Sequence, residues 1–167
     1  MRNGFLAAAL VYLIANTVFA FPLTPDPQRS PGSLCHRGDP DYSEDRYVER
    51  IPYCSRNVST VTKKSIYRVY RIPSRCQNRY TIDHLIPLSI GGDNSIRNLW
   101  PEHKFIKATR KQLESQLYWA MQQGQLSQKD AVNQVLQEKF YPPKPVSSDS
   151  DCDRLDPQAH WELLETN

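Results

Sequence analysis

Asp83 and His84 stand side by side in Tyr80-Thr81-Ile82-Asp83-His84-Leu85-Ile86-Pro87-Leu88, and Gly91-Gly92 and Asn98-Leu99 follow within fifteen residues of His84. A neutral histidine can take a proton from water near pH 7. A carboxylate can hold a hard divalent cation, and such a cation can neutralise a phosphate and stabilise its leaving oxygen. An asparagine across a turn can hydrogen-bond loop backbone and hold the histidine in position. Together these residue types suit the cleavage of phosphodiester bonds.

The elements needed to position them can be read from pattern. Arg79 to Leu85 is rich in Tyr, Thr and Ile and predicts a strand. Gly91-Gly92-Asp93-Asn94 predicts a turn, and Ile96 to Trp100 a second short strand. Pro101 suits the first turn of a helix, expected from Glu102 to Gln122 with Phe105, Ala108, Leu113 and Leu117 on its apolar side. Gly124 stops it. Ser127 to Asp130 resembles a capping box and opens a further helix with Ala131, Val135 and Leu136 inward, ended by Pro142-Pro143. Neighbours on a strand point to opposite faces, so Asp83 and His84 need a bulge or bend to serve one site.

The string Asp83-His84, Pro87-Leu88, Gly91-Gly92, Asn98-Leu99, extended by Trp100-Pro101-Glu102 and a helix carrying Lys111, Leu113 and Glu114, resembles the HNH family of nucleases, of the ββα-metal (His-Me finger) superfamily. The motif core covers about a fifth of the chain. The resemblance implies that Asp83 is a metal ligand, His84 the general base and Asn98 a structural asparagine, with Gly91 and Gly92 shaping the loop. It implies a divalent cofactor: Mg²⁺, Mn²⁺ or Zn²⁺. The pattern departs where family members usually carry a second ligand, His or Asn, on the helix. Lys104, Lys107, Thr109, Arg110 and Lys111 occupy that depth. His103 and Glu102 are the nearest good donors, and three readings stay open. Either residue replaces the ligand, the ion hangs on Asp83, waters and substrate, or activity is weak or lost.

Charge supports a polyanion partner. Between Ser55 and Lys111 twelve Lys and Arg oppose three carboxylates, leaving +9 there and −6 over the rest of a chain of net charge +3. Lys104, Lys107 and Lys111 share a face of the expected helix, and Arg110 follows them. Arg79 and Arg97 flank the strands and could grip phosphates. A solvated surface is the plainer alternative.

The chain has 167 residues, enough for one domain. Residues 1–20 read as a signal peptide: Arg2, the apolar run Phe5 to Ile14, and Val18-Phe19-Ala20 before the cleavage point. Residues 21–33 read as a flexible, proline-rich leader, 34–141 as the nuclease-like domain and 142–167 as an acidic Pro/Ser-rich tail. Within the domain, 34–57 is expected to form an irregular, disulfide-pinned layer, and Val61 to Arg71 a helix or strand. Cys35, Cys54, Cys76 and Cys152 all lie in the exported part, and two disulfides are expected with the pairing open. The expectation is an α+β protein with a ββα-metal core, a disulfide-bearing N-terminal layer and a C-terminal helical extension. Its expected role is that of a secreted or periplasmic, monomeric endonuclease for DNA, with RNA admitted, of little sequence specificity and without stable membrane association. The alternative is a non-catalytic nucleic-acid-binding protein on a degenerate HNH scaffold.

Overall fold

A computed structural model describes residues 21–142, Cys152 and Leu155–Asp156. The expected signal peptide, and the tail except for Pro142, Cys152 and Leu155–Asp156, lie outside the described residues. The fold is mixed α+β, with three separate two-stranded sheets among the described residues.

The segment expected to be a flexible leader is packed. Its first strand, β1 (Phe21–Pro22), pairs in parallel with Leu155–Asp156 at the far end of the chain. Leu23 is buried, and Ser30 Oγ donates to Leu99 O at 2.6 Å and bonds Tyr70 Oη at 2.8 Å. Prolines that restrict a chain in the unfolded state lower the cost of fixing it on a surface.

The layer expected to be irregular contains an antiparallel hairpin, β2 (Tyr42–Arg46) and β3 (Ile51–Cys54). Cys35–Cys54 staples the preceding segment to it, and Arg37 grips Asp45 through Nε and Nη2. α1 (Thr60–Val69) follows; Ser59 caps it by accepting from Thr62 N at 3.0 Å, and Ile66 faces inward. A 3-10 turn, Ser74–Arg79, then leads into β4 (Tyr80–His84). Cys76 in that turn is bonded to Cys152, which fixes the otherwise unsettled pairing of the four cysteines.

β4 pairs with β5 (Leu99–His103) in an unbroken antiparallel register from Tyr80↔His103 to His84↔Leu99. The expected strand at Ile96 to Trp100 is therefore shifted: Ile96–Asn98 is a 3-10 turn, and β5 runs on through Glu102 and His103. Pro101 sits inside β5 opposite Ile82 rather than in a helix. A two-stranded sheet has an open edge, where a missing N–H is tolerated.

The single helix expected from Glu102 to Gln122 is two. α2 (Lys104–Thr109) stops at Arg110, whose backbone is not helical (φ −130°, ψ 39°), and α3 (Leu113–Gln122) begins after a short break. Arg110 is drawn inward to Glu102, and this interrupts the helical run. α4 (Gln128–Phe140) starts as its sequence predicts, with Ser127 Oγ accepting from Asp130 N at 3.1 Å. β6 (Leu155–Asp156) is the strand that meets β1.

Two apolar clusters flank the β4–β5 connection. One joins α1 to β4 and β5 through Ile66, Tyr70, Tyr80, Leu85 and Leu99. The other joins α3 and α4 to the connection through Ile86, Ile90, Leu117, Met121 and Val135. Successive residues Leu85 and Ile86 thus anchor the connection into opposite clusters, each burial stabilising by about 1.5–3 kcal/mol.

Candidate active site

Asn98 holds the connection shut. Its Oδ1 accepts from Ile86 N at 2.8 Å, and its Nδ2 donates to Ile86 O and Asp93 O, both at 2.9 Å. The backbone adds Leu85 N to Asn98 O at 2.7 Å and Gly92 N to Pro87 O at 3.0 Å. Gly91 takes φ +93°, which L side chains rarely adopt. Gly92 lies so close to Ile86 that a Cβ would stand 1.9 Å from Ile86 O. Asn98 thus bonds the loop backbone at Ile86 and Asp93, and Gly91 and Gly92 lie at the turn it closes.

His84, at the end of β4, is 2% exposed. Its Nε2 lies 3.1 Å from Asn94 Oδ1. The direction of that amide is set by its other partners. Asn94 Nδ2 donates to Asp41 Oδ2 at 3.0 Å and Ser55 O at 2.7 Å, while Oδ1 also accepts from Asn57 N at 3.2 Å. Oδ1 is thus an acceptor, so Nε2 of His84 carries the hydrogen and Nδ1 carries the free lone pair. Nδ1 is buried and has no hydrogen-bond partner among the described residues. Burial pushes the imidazole pKa below its ordinary value, and the Asn94 bond only partly opposes it. The ring is therefore neutral at pH 7, with one basic nitrogen uncommitted.

Asp83 leaves the strand on the other side. The register carries no bulge, so the bend expected to bring Asp83 and His84 side chains together is not there. Asp83 Oδ1 accepts from Lys107 Nζ at 2.6 Å and Oδ2 from Lys139 Nζ at 2.9 Å. Lys139 also donates to the carbonyl of His84 at 2.6 Å, tying Asp83's ion pair to the backbone of His84. Glu102, on the same face of the sheet, pairs with Arg110 and stands 3.6 Å from Lys107. Burial alone would raise the Asp83 carboxyl, but Lys139 and Lys107 outweigh it and hold the group well below the usual carboxylate range. Glu102 goes the other way: burial first, then the charge of Asp83, push it up to about 7. Burial would lower the Lys107 ammonium, yet the adjacent Asp83 raises it above its ordinary value.

A pH signature follows. Glu102 binds its proton more tightly in the folded state than in the unfolded one, where its ordinary value is 4.5. Its contribution is fully present below that value and is lost as pH rises through about 7. Asp83 contributes the opposite sign, lost as pH falls below its ordinary value of 3.8, under this window. The Glu102 contribution to the unfolding free energy should therefore fall by about 3 kcal/mol between pH 4.5 and 8, opposed within that window by His84, whose lowered pKa makes stability rise with pH. Glu102→Gln should flatten that slope in urea titrations at several pH values; an unchanged slope would remove Glu102 as its source.

The metal expected at Asp83 does not fit the donors present. Both carboxylate oxygens already accept from ammonium groups, and Glu102, the second oxygen donor beside Asp83, gives Oε1 to Arg110 while Lys107 Nζ stands 3.6 Å from its Oε2. His103, expected as a replacement ligand, is not brought to Asp83. It lies opposite Tyr80 on the other face, its Nδ1 accepting from Phe105 N at 3.3 Å as the cap of α2. Cys35, Asp39 and Cys54 also cluster, but both sulfurs are committed to their disulfide.

The basic residues divide. Lys104, Lys107, Arg110 and Lys111 line one pocket of about 360 Å³ together with Lys139, Glu102 and Glu114. Lys107 and Arg110 turn inward to the carboxylates, whereas Lys104 and Lys111 are exposed. The break after α2 takes Lys111 off the expected shared helix face, although the pocket reunites it with Lys104. Arg79 stacks over Phe105 and Arg97 is exposed near the β4–β5 connection, and neither lines the pocket.

Lys139 and Asn94 were not singled out from sequence. Lys139 continues the inward stripe of Ala131 and Val135, and a lysine on an apolar stripe is the signal that could have found it. No family model matches the chain, and no curated protein or solved structure is significantly similar to it. The two disulfides are consistent with an oxidising, extracellular environment, and no helix among the described residues is long and apolar enough to cross a membrane.

Proposed function

We propose that this chain is a secreted or periplasmic nuclease of HNH type that hydrolyses phosphodiester bonds in DNA, with RNA admitted as a substrate, and with little sequence specificity. The observation that carries the reading is the state of His84. Its tautomer is fixed by Asn94, its pKa is lowered, and the lone pair of Nδ1 has no partner, although taking a proton from water requires this buried nitrogen to be opened to solvent. Asn98 keeps the connection beside it in one conformation. Lys104, Lys107 and Lys111 supply positive charge to the substrate's phosphates. Backbone contacts of this kind carry no sequence information, and this supports unspecific cutting.

The resemblance brings Mg²⁺, Mn²⁺ or Zn²⁺ into the proposal, but no step is assigned to an ion here, because Asp83 is held by lysines. That same observation, with the near-complete burial of His84, favours a second reading: a disulfide-stabilised protein that binds nucleic acid without cutting it. Plasmid DNA incubated with the purified chain, in EDTA and with each metal in turn, separates the two. The nuclease reading expects nicking and linearisation that His84→Ala lowers by about 100-fold or more. Cleavage that survives His84→Ala would reassign the base. No cleavage under any condition, with DNA retained and a steep salt dependence, would establish the binding reading.

A further inference from the structure

A carboxylate that takes a divalent cation must turn at least one oxygen toward the ion with room for its remaining ligands. Both oxygens of Asp83 already face an ammonium group. Lys107 Nζ stands 2.6 Å from Oδ1 and Lys139 Nζ 2.9 Å from Oδ2. The two ammonium groups bring the two positive charges that a divalent ion would bring, and each takes a lone-pair direction on its own oxygen.

Neither lysine can simply withdraw. The Lys139 side chain is 2% exposed and is also fixed by the His84 carbonyl, so retreat would leave a buried ammonium unpaired. Lys107 is 44% exposed and could swing toward solvent, but Glu102 lies 3.6 Å from its nitrogen and draws it to the same place. An ion beside either oxygen would meet like charge at contact distance.

We infer that Lys107 and Lys139 take the place of a divalent cation at Asp83, making this a metal-independent centre closed to such ions. Charge stabilisation in the adjoining pocket then comes from lysine, and Lys107, which faces both Asp83 and the pocket, is the group that supplies it. This deepens the proposed nuclease reading, yet its test involves no nucleic acid and stands or falls separately from cleavage.

The test is a Mn²⁺ titration of the purified chain at neutral pH. Free Mn²⁺ is followed by electron paramagnetic resonance, and its position by broadening of backbone amide signals. The wild-type chain should show no saturable site whose broadening centres on residues 82–84 and 102–107. Lys107→Ala opens Oδ1 and should gain a site there, at least about tenfold tighter than anything at that position in the wild type. The same amide spectra show that the variant is folded. A wild-type Mn²⁺ site centred on Asp83 would overturn the inference, and so would a folded Lys107→Ala chain that gains none.

Discussion

Lys139→Met is expected to lower the unfolding free energy by about 3–5 kcal/mol, the range for removing one partner of a buried ion pair. Methionine keeps most of the stem's volume, so the loss reports charge and hydrogen bonding rather than a cavity. Lys139 contributes two bonds, to Asp83 Oδ2 and to the His84 carbonyl, and is itself 1% exposed. Without it Asp83 keeps only the half-exposed Lys107, with Glu102 still alongside. Urea denaturation at neutral pH measures the change. The double variant Lys139→Met with Asp83→Asn should recover part of the loss, because the uncompensated carboxylate is then gone. A loss below about 1 kcal/mol in the single variant would mean that the pair contributes no more than a surface bridge does.

Gly92→Ala should be more damaging for its size than any other small substitution in the connection, by about 4 kcal/mol or more. The added methyl would stand 1.9 Å from Ile86 O and 2.8 Å from Asn98 Nδ2. The first is backbone, and the second belongs to the side chain that bonds Ile86 on both its amide and its carbonyl. No rotamer change relieves the contact, so the backbone must separate and the Asn98 bonds stretch or break. Gly124→Ala is the control. That glycine, unlike Gly92, has positive φ, +68°, but a Cβ there meets nothing within 4 Å, so its cost is conformational, about 1 kcal/mol. A thermal shift for Gly92→Ala no larger than that for Gly124→Ala would show that close approach to Ile86 does not govern its cost.

These residues mark what could be read in advance. Gly91, Gly92 and Asn98 are local features: a turn that needs glycine and an amide that satisfies backbone a few residues away depend on short stretches of chain. The Ser127 cap and β4 were legible for the same reason. Lys139 was not, because its meaning lies in a carboxylate 56 positions earlier. A helical stripe reads as apolar or polar, and a buried lysine becomes sensible only once Asp83 is known to face it. Asn94 read as a turn residue because its partners, Asp41 and Ser55, come from the distant hairpin. The break between α2 and α3 was hidden because Lys, Ala, Thr and Arg carry no stop signal; Glu102 pulls Arg110 out of line, and that is a tertiary effect. His103 looked like a ligand by residue type, while its place in the register turned it into a cap.

The separation of Asp83 from Lys139 also sets an order in time. A ribosome delivers the chain N-terminus first. When Asp83 and His84 have emerged, α4 does not yet exist, and Cys76 still awaits Cys152, 76 positions later. A nascent chain that stops before residue 139 carries the whole motif but leaves Asp83 short of a counter-charge, and β4 lacks its covalent brace. The centre is therefore a property of the finished polypeptide, and truncated synthesis products would carry the motif without assembling the site.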